Sequence, residues 1–161
     1  MANEMKVYVL ELLENYHKRA REIALLRYEL AHPVRVTEDE LIEAMSYAHQ
    51  DGVGRPEGHI SNKTLYIALT YREQAGRLNT ENVGEISAKL TRLEREQARL
   101  EYYISLLEPR QEQVLRRLYL ERMPREKAAD EFGLSVRRLQ EIRVQAIESL
   151  AEMYCFTDAL Y

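Results

Sequence analysis

Apolar residues recur along most of this chain at steps of three and four, the spacing that lines one face of an α-helix. From Asn3 to His32 no glycine or proline intervenes. Val9, Leu12, Tyr16, Ile23, Leu26 and Leu30 form one stripe there, interrupted by Arg19 with Ala20 beside it. This predicts a long amphipathic helix that Pro33 ends. Thr37-Glu38-Asp39-Glu40 has the form of a capping box and opens a helix of about three turns, to His49, with Leu41, Ile42, Met45 and Ala48 on its apolar side. Asp51 to His59 holds three of the six glycines and breaks the pattern, making it the main joint. Ser61 then caps a helix from Asn62 to about Ala75, with Leu65, Ala68 and Tyr71 inward and Gly76 near its end. Val83, Ile86, Leu90, Leu93, Gln97, Leu100, Ile104 and Leu107 follow as a heptad seam whose one polar member is Gln97, a device for register or partner choice. That seam has two readings: it pairs with the N-terminal helix of the same chain, or with its own copy in a dimer.

The C-terminal third predicts three shorter helices. Pro109 suits a first helical position, and Val114, Leu115, Leu118 and Leu120 give that helix an apolar face. Pro124 opens a second helix in the same way. It carries Ala128, Ala129 and Phe132 and stops at Gly133, a residue type that enters the left-handed region without steric cost. Ser135 is the N-cap of a third helix, Val136 to Met153, which turns Leu139, Ile142, Ala146, Ile147 and Leu150 inward and leaves Arg137, Arg138, Gln140, Glu141 and Arg143 for another surface. Two helices crossing over a short turn need a small residue where they touch, and Ala129 supplies it. The predicted fold is all-α, with long N-terminal and central coiled-coil-like helices ahead of a three-helix helix-turn-helix domain. Its expected divisions are 1–107, containing the glycine-rich loop at 51–60, then 108–154, then a tail at 155–161.

The formal net charge of −4 over 161 residues excludes a strongly basic nucleic-acid coat, so any DNA contact must be local. A single cysteine, Cys155, cannot form an internal disulfide, and no stretch has the form of a signal peptide or approaches the roughly 20 apolar residues of a membrane span. The cytoplasm is the simplest location. Chemistry is sparse. The glycine-rich joint lacks the spacing and terminal Lys-Ser/Thr of a phosphate loop, and His49, Asp51 and His59 match no usual metal spacing. His17 and His32 have solvated or capping roles as their default. With no nucleophile, base and acid set and no cofactor fingerprint, neither an enzyme nor a cofactor is expected.

The run PREKAADEFGLSVRRLQEIRVQAIESL, from Pro124 to Leu150, resembles without a gap the fourth region of bacterial sigma factors, which reads a promoter's upstream element. The Glu-x-Ala-Ala core, the Phe-Gly-Leu-Ser turn and the closing Ala-Ile-x-x-Leu carry the likeness. By position, the resemblance implies base-reading roles for Val136, Arg137, Gln140 and Glu141 and backbone roles for Arg125, Arg138 and Arg143, with Ser135 at the turn. Glu141 stands where sigma factors usually have glutamine, and a carboxylate accepts from cytosine N4 but cannot donate. Together with the Gly-Arg-Pro-Glu-Gly-His-Ile-Ser run and the heptad helix, the chain resembles phage-encoded sigma-like regulators of the ArpU and RinA type. That implies double-stranded DNA and RNA polymerase as partners, and a single small reading module favours a homodimer through the helices at 3–32 and 80–107. Two other classes fit the same pattern: a small terminase-like DNA-packaging protein and a coiled-coil adaptor that binds protein only. In the tail, Tyr154, Phe156, Leu160 and Tyr161 either pack on the bundle or offer a partner surface.

Overall fold

The computed structural model describes residues 2–33, 35–48 and 62–160, which are all-α. The helices are α1 (Ala2–Glu14), α2 (Tyr16–Ala31), α3 (Glu38–Ala48), α4 (Asn62–Ser105), α5 (Pro109–Leu115), α6 (Arg125–Phe132) and α7 (Val136–Asp158), with a π-helical turn at Arg116–Leu120 after α5. The glycine-rich joint at 51–60, with His49, Asp51 and His59, lies outside the described residues, as do Ser61, Tyr161 and the side chains of Met45, Ala48, Leu65 and Ala68. Two compact units are formed, one from Met1–Ala24 with Thr91–Tyr161 and one from Leu25–Leu90.

In the second unit, the capping box closes as its residues predict. The Thr37 N–H donates to the Glu40 carboxylate at 3.0 Å, and the Glu40 N–H to the Thr37 hydroxyl at 3.2 Å. Asn79 of α4 grips the segment before α3, accepting from the Val36 N–H at 2.9 Å and donating to its carbonyl at 3.3 Å. One expectation is corrected here: the helix that starts at Asn62 does not end near Gly76 but runs to Ser105, through both Gly76 and Gly84. A helical glycine costs only about 1 kcal/mol relative to alanine. Without a left-handed residue or a proline after it, the hydrogen-bond ladder simply continues.

The first unit holds the main core. Val9, Leu12 and Leu13 of α1 meet Leu100 and Ile104 from the end of α4, Leu107 of the turn after it, Leu115 of α5, and Ala146, Ile147, Leu150, Ala151 and Tyr154 of α7. The last part of the heptad seam is therefore filled by the same chain. Between α1 and α2 the helix is broken only at Asn15, and backbone bonds continue on both sides of it, Asn15 N–H to Glu11 at 3.0 Å and Arg19 N–H to Asn15 at 2.9 Å. The two polar flaws of the apolar stripes meet in this interior. Arg19, its side chain 6% exposed, donates from Nε to the Gln97 amide oxygen at 2.8 Å and from Nη2 to the Leu12 carbonyl at 2.8 Å, with Glu96 at 3.5 Å. A buried guanidinium is tolerated when its donors are met.

A smaller core gathers Val114, Ala128, Ala129, Leu139 and Ile142, ringed by Leu118, Met123, Phe132 and Leu134. Helix α7 thus contributes to both clusters, its first half to the small one and its second half to the main one. For that reason the division drawn at residue 107 does not coincide with a division of the interior, since Leu107, Leu115 and Leu150 share one cluster.

The tail continues α7 instead of forming a separate segment. Tyr154 is buried edge-on to Tyr8 and Tyr103, and burial pushes its hydroxyl pKa up. Arg99 lies with its guanidinium 4.5 Å from the Tyr154 ring centre and 5.3 Å from that of Tyr103, and donates to Thr157 and Asp158. Phe156 and Leu160, by contrast, are 71% and 67% exposed.

Candidate nucleic-acid interface

Pro109 is the first residue of α5, as its missing N–H allows. The helix then widens: the Glu121 N–H bonds Arg116 O at 2.9 Å, five residues back, and the Met123 N–H reaches Arg117 O at 2.8 Å. Arg122 closes it with φ +54, in the left-handed region. For a residue with a Cβ that conformation costs roughly 1–2 kcal/mol. Arg122→Gly is therefore expected to raise stability by about 1 kcal/mol, read as a higher urea midpoint; a lower midpoint would mean that the arginine side chain itself holds the turn. Arg117 ties this turn forward through ion pairs to Glu121 and, at 3.1 Å, to Glu131 of α6.

Pro124 sits one position earlier than its sequence suggested, as the N-cap of α6, with Arg125 the first helical residue. Gly133 ends α6 at φ +64. Its N–H bonds Asp130 O at 3.1 Å, and the Leu134 N–H reaches back to Ala129 O at 2.9 Å. Ser135 then takes an extended conformation and accepts the Arg138 N–H on its hydroxyl at 3.1 Å, starting α7. Ala128 and Ala129 lie buried against Leu139 and Ile142, where any larger side chain would push the two helices apart.

This turn brings Ser135, Val136, Arg137, Arg138 and Glu141 together on the exposed leading end of α7, and Arg137 has 91% of its side chain exposed. Arg125 is exposed on the first turn of α6. Gln140 is half-buried, with its amide oxygen enclosed and unpartnered. Arg143 is set apart from the group: its Nε donates to the Tyr119 hydroxyl at 2.7 Å and its guanidinium lies over the Tyr119 ring. Glu141 accepts from Arg138 Nη1 at 2.9 Å and lies 3.5 Å from Arg137 Nε; the hydrogen bond from Arg138 is the first cause holding its carboxyl below the usual range.

Tyr119 had no signal in the sequence, whereas a capping role was one of the two expected for His17. His17 Nε2 lies 3.0 Å from the Tyr119 carbonyl, one of the acceptors that a helix end leaves without a partner in its own helix, so a residue of α2 caps the helix that begins at Pro109. Tyr119 thereby joins α2 to Arg143 of α7. Among the described residues, no group of three or more His, Cys, Asp or Glu could hold a metal ion, and no helix is long and apolar enough to cross a membrane. No family model matches the chain, and neither does any curated protein or solved structure.

Proposed function

We propose that this chain binds duplex DNA at a specific sequence and regulates transcription, with α6, the Gly133 turn and α7 acting as a helix-turn-helix. The observation that carries the reading is the exposed cluster of Ser135, Val136, Arg137, Arg138 and Glu141 at the start of α7, held out by a left-handed glycine and a serine cap. A helix end of this kind fits the major groove, where its first turns meet base edges and nearby cations meet phosphates. The resemblance to sigma-like phage regulators adds a phage or prophage setting and RNA polymerase as the partner. No catalytic step is part of the proposal. If two copies pair, Leu90, Leu100, Ile104 and Leu107 are already covered within the chain, so pairing falls to the start of the seam, where Val83 is exposed.

Selection of bound duplexes from a random pool, repeated over a salt series, tests this directly. Arg137→Ala and Gln140→Ala are expected to weaken the selected site by about 1–3 kcal/mol and to relax base choice, whereas Arg125→Ala weakens all sequences alike. A chain that enriches no sequence, or equal losses on every duplex from all three changes, would remove the assignment.

A further inference from the structure

Residues 136–145 contain one acid, Glu141, and it is placed against two arginines. One carboxylate oxygen accepts from Arg138 Nη1 at 2.9 Å, and the other lies 3.5 Å from Arg137 Nε. An acid in this place works against a general grip on DNA. It neutralises guanidiniums that would otherwise meet phosphates, and it brings a charge of the duplex's own sign.

What such an acid contributes is discrimination. In the major groove a carboxylate can only accept, so guanine N7 and O6 and thymine O4 repel it. The adenine amino group has an acceptor, N7, beside it, while cytosine N4 is a donor without one on the same base. The neighbouring guanidinium completes the match. In a C·G pair the cytosine N4 donor and the guanine O6 acceptor lie one N–H···O hydrogen bond apart, about 2.9 Å. Glu141 Oε2 and Arg138 Nη1 present an acceptor and a donor at that same spacing.

We propose that Glu141 and Arg138 together read one C·G base pair, the carboxylate accepting from cytosine N4 and the guanidinium donating to guanine O6. Away from such a pair, the same carboxylate is left desolvated against acceptors, so it suppresses binding to other sequences. This inference rests on the DNA-binding reading above. Both side chains are about half exposed, 54% for Arg138 and 45% for Glu141, so their exchange should leave the fold intact.

The test uses the full chain and random duplexes, comparing the original protein with Glu141→Gln and Arg138→Ala. The original protein is expected to select cytosine paired with guanine at one position. Glu141→Gln should lose that preference, by roughly 5- to 150-fold, or exchange it for adenine, which a glutamine amide matches. Its affinity for unrelated duplex should rise, with a salt slope steeper by about one. Arg138→Ala should weaken the same position without that rise. A Glu141→Gln protein that keeps the cytosine, or gains nothing on unrelated duplex, overturns the inference and leaves DNA binding standing. Failure of the original chain to select any duplex overturns the DNA-binding reading, and the inference with it.

Discussion

Leu150→Ala is expected to lower the free energy of unfolding by about 2–5 kcal/mol. Leu150 is fully buried where α7 meets α1, the end of α4 and Leu115, a site closed on several sides that cannot collapse cheaply around a cavity. Urea unfolding followed by circular dichroism gives the number. Because Leu150 and the exposed arginines share one helix, the proposed DNA binding should weaken near the transition as well, although Leu150 is far along the helix from Arg137. A cost below about 1 kcal/mol would mean that this part of α7 is loosely packed. For the same reason residues 108–161 alone should not fold, since their expression without α1 and α4 would leave Leu115, Ile147, Leu150 and Tyr154 uncovered.

Gln97→Leu should cost about 2–4 kcal/mol, although leucine is the more apolar residue at an interior position. The amide oxygen accepts from Arg19 Nε, and without it a guanidinium stays in the core with fewer partners. The Leu12 carbonyl and Glu96 remain, which keeps the loss below that of an isolated buried charge. Joining the change to Arg19→Met should recover most of the stability, because the charge and its acceptor then leave together. Additive losses in the double variant would mean that the two residues do not act as a pair.

What could be read in advance was local. Gly133, Ser135, Ala128 and Ala129 act through their own backbone and size, and the turn forms as these residue types require. The Thr37–Glu40 box is equally local. Arg19 and Gln97 were each visible as an interruption of an apolar stripe, but their meeting was not, because 78 positions separate them. Arg143 shows a different limit. It follows Ile142 at the margin of the inward face, and its partner Tyr119 stands on a π-helical turn whose wider spacing a 3.6-residue period does not register. Gly76 misled because glycine ends a helix only when the backbone turns left-handed there, and Arg122 shows that a residue with a side chain can take that role.

The clasp of Arg99 on the far end of α7 bears on how ionic strength would act on this protein. Stacking on Tyr154 and Tyr103 and the bond to Thr157 are short-range and little affected by dissolved ions; only the half-exposed contact with Asp158 is screened. On the DNA-binding reading proposed above, added salt should therefore weaken phosphate contacts at the leading turns well before it loosens the helix's anchorage. A binding isotherm taken across such a titration would then report counterion release, uncontaminated by melting of the rod that carries the arginines.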